Sequence, residues 1–486
     1  MTTLQTNDQL PTLSDEAEER SLRATLRRML VAWLFGAAWM SITSGATLTR
    51  YARELGVREF GFGIMAAIPF MAAFAQLPAS FFIERFGHRK ALFLTANLLH
   101  RSLWLVIAAI PWIFPRVQGP AALIALLGLS AVANHATGPS WNSWLVDIVP
   151  SRIRGRYMSR RSQAGQIVNL VLTLAVGLGL DWAEGISGVA LGRMLSAMLA
   201  VASVMGVVDI IYFVGIPDYK APSRNLAYGL RELFLQPLKN RSFRFCLAFT
   251  AVLTFSVGFI GQFTWLYIFD VVKASNMQAN LLLVAIPLLI ALISLPFWGR
   301  MVDRLGKKPV IIIAGICVIP GGLAWIFVRE GHWFPGYFGI MLAAFAWPGV
   351  ELGYVNILLG LMERRKGNIR NTAYVAINSV VVAVAGTLSG LFGGLLAREL
   401  KDWHGSLWGV ALTYHGLLFL ISTVLRAGGL LFLRGIEEPR AFSARDAFQY
   451  MAGTMYSNLQ NTLVLPMRLA GRWTYKLSSA RRWGKK

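Results

Sequence analysis

Long apolar runs alternate with short charged ones from residue 29 to residue 434. Twelve of the runs read as helices of spanning length, at roughly 29–49, 60–83, 91–113, 120–147, 162–181, 188–215, 244–270, 277–299, 309–328, 334–362, 370–398 and 407–434. About 20 apolar residues cross the hydrocarbon core of a bilayer, so each run is long enough. Several hold Gly or Pro, as in IPFMAAFAQLPASFF and AFAWPGVELGY, which neighbouring helices accommodate inside a membrane bundle. Ahead of the first run, SDEAEERSLRATLRR predicts a short helix: Ser14 is placed to cap it, acids lead it, and Glu16–Arg20 and Glu19–Arg23 fall at i,i+4.

With 55% hydrophobic and only 15% charged residues, and a mean hydropathy of +0.53, the chain is an all-α membrane protein. Its net charge of +23 would suggest nucleic acid on a soluble domain, but the distribution excludes that partner. The basic residues gather on alternate connections: Arg85, Arg89 and Lys90; Arg152, Arg154, Arg156, Arg160 and Arg161; Arg300, Arg304, Lys307 and Lys308; Arg364, Arg365, Lys366 and Arg370. The intervening DWAEGISG and DVVKASNM carry few. The positive-inside rule then predicts a multi-pass protein of the plasma (inner) membrane with both termini cytoplasmic. One connection votes the other way, since RYARELGVREF (50–60) holds Arg50, Arg53 and Arg58. The first run serves as the insertion signal, because no short apolar core with a cleavage site precedes it. The two cysteines, Cys246 and Cys317, fall in separate spans and the six histidines are scattered, so neither a disulfide framework nor a metal site is expected, and no cofactor. The expected partners are the lipid bilayer and a small-molecule substrate, with the chain a monomer.

Half a chain apart, the sequence repeats itself. FFIERFGHRK (81–90) returns as FWGRMVDRLGKKP (297–309), with Glu84 and Asp303 219 positions apart. DIVPSRIRGRY (147–157), after the fourth span, returns as MERRKGNIRNTAY (362–374), after the tenth, with Tyr157 and Tyr374 217 apart. Two markers with nearly one offset imply an internal duplication, and a duplicated six-helix bundle is a transporter architecture. The predicted organisation is a tail with a short helix (1–28), a six-helix bundle (29–215), a cytoplasmic linker (216–243), a second bundle (244–434) and a basic tail (435–486). That last tail mixes Met, Tyr, Leu and Trp with Arg and Lys, which predicts an amphipathic element on an anionic leaflet, interrupted at Pro466.

The pattern G-x-x-x-D-R-x-G-[RK]-[RK] after the second span of each half resembles the signature of the major facilitator superfamily. The second copy fits fully, with Gly299, Asp303, Arg304, Gly306, Lys307 and Lys308; the first has Ser80 and Glu84 for the glycine and aspartate, followed by Arg85, Gly87, His88, Arg89 and Lys90. The resemblance implies twelve transmembrane helices in two pseudo-symmetric six-helix bundles and a cytoplasmic gate built from Glu84, Arg85, Gly87, Gly299, Asp303, Arg304, Gly306 and Lys307. In that gate Asp303 would face the start of span 5 (Arg161, Ser162) and Glu84 the start of span 11 (Arg370, Asn371, Thr372), where unpaired N–H groups attract a carboxylate. Gly87 and Gly306 would give the tight turns. GRMVDRLGKK is not a phosphate loop, because six residues separate its glycines where four are needed and Lys307 is followed by Lys308.

The resemblance also implies that spans 1, 4, 7 and 10 surround a central cavity. Charge at membrane depth is costly, so Glu351 of span 10 is the leading candidate for a proton or substrate site, with Trp347, Tyr354 and Asn356 on the same span. In a dry cavity it would exchange a proton as access alternates; it would equally pair with a cationic substrate. Span 4 offers Asn134, His135 and Asn142, with Asn134 opposite Glu351 by the 217-residue offset. Span 7 offers Gln262 and Trp265, and span 1 only hydroxyls: Ser41, Thr43, Ser44 and Thr47. Arg101, Asp209 and Arg426 lie in the peripheral spans 3, 6 and 12 and read as structural ion pairs, Arg101 with Asp209.

No nucleophile–base constellation stands out, so no catalytic residue is assigned and an enzyme is not expected. The function predicted is a secondary transporter moving a small solute by alternating access, proton-coupled through Glu351. Two other readings remain: a uniporter or carrier of a lipid-like substrate, and a non-transporting scaffold or assembly factor on the same fold.

Overall fold

The computed structural model describes residues 13–218, 237–363, 368–407, 409–438, 441–451 and 453. Most of the 216–243 connection, Arg364 to Lys366 and nearly all of the C-terminal tail therefore lie outside the described residues. Among the described residues, eleven helices are long and apolar enough to cross a membrane, and one pair bent by 45° makes a twelfth. Spans 2 to 6 are Glu59–Phe86, Arg89–Ala108, Gly119–Ile148, Ser151–Ile186 and Gly188–Val214. Spans 7 to 12 are Arg241–Asp270, Asn276–Leu305, Lys307–Phe327, Phe334–Glu363, Asn368–Glu399 and Tyr414–Gly435.

Span 1 is the bent pair, Leu13–Ile42 followed by Gly45–Glu54. The short leading helix expected before it is the same continuous helix; Ser14 lies inside it, and the Glu19–Arg23 pair closes at 2.8 Å. The helix breaks where Ser44 turns extended (φ −126°, ψ 178°) and Gly45 takes φ +62°, a left-handed value that glycine adopts without a side-chain clash. Span 7 breaks in the same place in its own half, between Arg241–Gly258 and Gly261–Asp270. Ser44 and Ile260 stand 216 positions apart, so the duplication is written into the backbone as well as the sequence.

Two further boundaries differ from the hydropathy reading. Span 5 begins at Ser151, eleven positions earlier than expected, because a helix continues past the point where its side chains stop being apolar. Residues 407 and 409–412 are not helical: Gly405–Leu407 (β1) pairs antiparallel with Val410–Leu412 (β2), and Gly409 takes φ +75° between them. Span 12 starts only at Tyr414.

Within the first half, span 1 packs on spans 5 and 6, span 3 on spans 4 and 6, and span 2 on span 4. The second half repeats these pairings: span 7 on 11 and 12, span 9 on 10 and 12, span 8 on 10. The molecule is therefore two pseudo-symmetric six-helix bundles. One face carries the two repeated strings and is called the basic face below; the other is the far face. The extensive contacts between the halves come from the far-face portions of spans 1, 2, 5, 7, 8 and 11. Among the described residues, no extensive contact joins the basic-face segments of spans 2 and 8 to spans 11 and 5.

Candidate functional site

The break in span 1 opens onto a cavity of about 550 Å³ inside the first half, a size that suits a small-molecule ligand. Ser41, Thr43 and Ser44 line it from span 1, Asn134 and His135 from span 4, and Ser162, Gln166 and Asn169 from span 5; Gln262 reaches it from span 7. His100 and Trp104 of span 3 close its inner end. Local bonds fix the wall. Ser41 Oγ lies 2.8 Å from the Ala37 carbonyl and 3.0 Å from Asn169 Oδ1, which also accepts from Thr173 Oγ1 at 3.1 Å. His135 Nδ1 lies 3.2 Å from Gln76 Nε2, and His100 Nδ1 lies 2.7 Å from Ser130 Oγ. The second half reaches this wall at the break as well, because a Cβ on Gly45 would stand 3.0 Å from the Trp265 ring.

The cavity thus gathers Asn134, His135 and Gln262 from the sequence-derived candidates, while Glu351, Trp347, Tyr354, Asn356, Asn142 and Trp265 lie outside its lining. Glu351 is exposed and not enclosed in a dry pocket as the sequence suggested, which corrects that expectation: with the halves parted at the basic face, nothing covers it. Asn142 is also exposed, Trp347 is half-buried, Asn356 donates back to the Leu352 carbonyl at 2.8 Å, and the Tyr354 hydroxyl is buried without a partner. Sequence reasoning gave Ser162 to the gate and passed over Gln166 and Asn169, although the i, i+4, i+7 spacing of the three marks one helical face, because span 5 was not counted as cavity-lining.

Behind the cavity, Arg101 and Asp209 form the buried ion pair read from the sequence, at 3.0 Å. The Arg101 guanidinium also lies 3.7 Å from the centroid of the Trp39 ring. Two glycines admit the pair: a Cβ on Gly36 would meet Asp209 Oδ2 at 2.6 Å, and one on Gly206 would meet Arg101 Cδ at 2.6 Å. In the other half, Arg426 makes no ion pair among the described residues.

At the basic face the two repeated strings do parallel work inside each half. Gly87 and Gly306 take φ of +68° and +99°. The lysine after each turn then binds the end of the last span of its own half: Lys90 Nζ donates to the Val214 and Ile216 carbonyls at 2.9 and 2.7 Å, and Lys308 Nζ to Arg434 and Ile436 at 3.5 and 2.9 Å. An acid two residues further on completes each knot. Asp218 and Asp147 hold Arg89, which is 1% exposed, at 3.2 and 2.6 Å, while Glu438 accepts from the backbone N–H groups of Lys307 and Lys308 at 3.0 and 2.8 Å.

Of the remaining gate candidates, Arg85 lies over the Phe81 and Phe86 rings, Gly299 faces open space, and Arg304 donates to the Tyr450 hydroxyl at 3.1 Å. Glu84 and Asp303 are exposed and make no ion pair among the described residues. The docking point expected for Asp303 also moves. The free N–H groups of span 5 belong to residues 151–154, whereas Arg161 and Ser162 sit well inside the helix. Span 11 starts at Asn368, so Arg370, Asn371 and Thr372 do lie in its first turn.

The far face is closed by two unlike contacts. Between spans 5 and 8, Asp181 accepts from the Ser275 hydroxyl at 2.7 Å, from Asn276 N at 2.6 Å and from Met277 N at 3.1 Å, capping the start of span 8. Asn276 donates to Glu184 at 2.8 Å and accepts from Arg50 Nε at 3.0 Å, and Arg50 pairs with Glu184 at 3.3 Å. Arg53 binds Asp270 and Glu59. Two of the three basic residues that voted against the rest of the topology, Arg50 and Arg53, are thus paired with acids at this closure. Between spans 2 and 11 the contact is glycine on glycine: a Cβ on Gly390 would stand 2.7 Å from the Gly63 carbonyl and 2.6 Å from Ala67 N, and one on Gly394 2.8 Å from Gly63 Cα.

Residues 28–367 match the family model described as Major Facilitator Superfamily. Among solved structures, the nucleoside transporter NupG is similar over 85% of this chain and 99% of its own, at 12% identity and a TM-score of 0.65. The D-xylose–proton symporter is similar over 87% and 98%, at 16% identity and 0.60. A bacterial homologue of the human lysosomal transporter Spinster, inward-facing and unoccupied, is similar over 85% and 94%, at 13% identity and 0.55. No curated relative matches the sequence.

Proposed function

The chain belongs to the major facilitator superfamily, and on that premise we propose that it is a secondary transporter that moves a small solute by alternating access. One observation carries the reading: the two halves meet at the far face and part at the basic face, beside a hydrogen-bonding cavity set at matching breaks in spans 1 and 7. Discontinuous helices near the repeat interface are where transporters place substrate sites, since unwound backbone offers groups that a regular helix would consume. In this reading the basic face is cytoplasmic by the positive-inside rule, both termini lie inside, and the state described is open to the cytoplasm.

Glu351 is the proton carrier of the proposal. It is exposed on span 10 at the position that duplicates cavity-lining Asn134, so a rocking motion that closes the basic face would take it from water into the protein. Desolvation disfavours the charged form of a carboxylate, which couples the motion to proton uptake.

Efflux from proteoliposomes loaded with a broad metabolite mixture under an imposed pH gradient, read by mass spectrometry, tests both parts. Selective depletion of one compound class over empty liposomes is the expected result. Glu351→Gln should keep the selectivity and lose the pH dependence; retained pH dependence eliminates Glu351 as the carrier. No depletion from correctly folded protein counts against transport and for a scaffold role.

A further inference from the structure

Arg161 lies on span 5 beside the cavity; among the described residues it makes no ion pair, and Asp209 acts on it only through space. Its guanidinium carbon stands 4.0 Å from the centroid of the Trp33 ring and 4.8 Å from that of Trp141, so two indoles cradle it. Trp33 lines the cavity, as do Ser162 and Gly165, the next residue and the residue one turn along from Arg161. Gly165 makes the arrangement feasible, because a side chain there would collide with the indole nitrogen of Trp33. The Arg161 Nε is buried and finds no hydrogen-bond acceptor.

The charges around it do not balance. No Asp or Glu lines the cavity. Of the two buried carboxylates described in this half, Glu59 pairs with Arg53 at the far face, and Asp209 is bound to Arg101 at 3.0 Å. Behind the cavity Arg101 and Arg161 share Asp209 alone, which leaves a net positive charge where charge is expensive. Indole faces attract a cation but carry no counter-charge, and the guanidinium fork keeps donors in its plane that match an oxyanion. The duplication makes the feature local. The residue 217 positions on is Asn378, so the cation belongs to the first half alone.

We infer that Arg161 is the anchor for an anionic group, a carboxylate or phosphate, on the transported solute. The inference rests on the transporter reading and narrows it: the cavity's amides and hydroxyls would hold the neutral part of the solute while Arg161 fixes the charged end at the side nearer the basic face. A lipid headgroup phosphate offers the same chemistry, and the test separates the two sources.

Purified full-length protein is titrated with matched pairs, glycerol and glycerol 3-phosphate, glucose and glucose 6-phosphate, lactamide and lactate, succinamide and succinate, reading tryptophan fluorescence and thermal stability. At least one anion should bind where its neutral partner does not, with affinity falling about tenfold or more in Arg161→Gln, a loss of one charge-assisted contact. Arg161→Lys, which keeps the charge and loses the fork, should fall between the two and shows that the fold tolerates the site being altered. Binding by neutral members only, or anion binding indifferent to Arg161→Gln, overturns the inference. So does a response confined to phosphatidylglycerol over phosphatidylcholine nanodiscs, which would make the ligand a lipid. If Arg161→Gln leaves anion binding alone but alters cysteine labelling across the basic face, the guanidinium is a gate residue and the inference falls. The efflux experiment reports separately: selective efflux of neutral solutes sinks this inference and leaves the transporter reading standing, whereas anion binding without any efflux does the reverse.

Discussion

Spans 2 and 11 and spans 5 and 8 make the same contact twice under the duplication, and each keeps a glycine at the seam, Gly394 and its counterpart Gly177, where a Cβ would meet the facing backbone at 2.8 and 2.7 Å. Around that shared glycine they close the far face by different means. The first pair has removed its side chains: Gly63, Gly390 and Gly394 let two backbones approach so closely that a single added methyl meets backbone atoms at under 3 Å. The second pair has added charge: Asp181 caps span 8, with Glu184, Arg50 and Asn276 built around it. A backbone seam is strong only when shut, because dispersion falls off steeply with a gap, and it cannot adapt to a larger side chain. A carboxylate on a helix start can exchange its partners for water as it opens, so its net contribution is modest. Duplication fixed where the halves touch and left each contact free to find its own chemistry.

The comparison can be broken at the seam first. Gly63→Ala or Gly390→Ala should cost the far-face-closed state about 1–3 kcal/mol, the range for overpacking, and shift the molecule toward an arrangement open at that face. Cysteine labelling near Asn280 would rise, and unchanged labelling would mean the seam has room that the geometry denies. Asp181→Asn comes next: losing a carboxylate from a helix start and its charge-assisted bonds is worth roughly 1–2 kcal/mol, so labelling should rise by about 5- to 30-fold. Arg50→Gln should do less, about 0.5–1 kcal/mol, because the Arg50–Glu184 pair is partly open to solvent. Glu399→Gln is the control that sharpens the contrast. Glu399 duplicates Asp181 at an offset of 218, but among the described residues its ion pair is with its exposed neighbour Arg398, at 2.6 Å, so no change in labelling or transport is expected.

Much of the fold was legible because membrane helices announce themselves by length and apolarity, and the repeat of 81–90 at 297–309 fixed the two halves. The Arg101–Asp209 pair was legible for a similar reason: charges inside spans have few places to go. Hydropathy could not find the start of span 5, since SRIRGRYMSRRSQAG is polar and helical at once. Nor could it orient Glu351, whose span is apolar on every side and gives no face to choose. The far-face network was hidden for a different reason. Arg50 and Asn276 are 226 residues apart, and nothing local to either says they meet; the only trace was a basic connection that disagreed with the topology rule.

The knots made by Lys90 and Lys308 bear on how such a chain is made. Lys90 waits for carbonyls 124 and 126 residues downstream, and Lys308 for one 128 residues downstream. Each half is therefore fastened by its own last segment to leave the ribosome, and the first is complete before span 7 has been synthesised. Because domains form N-terminal first as synthesis proceeds, the first bundle has every partner its knot needs once residue 218 has emerged, and can serve as the template for the other.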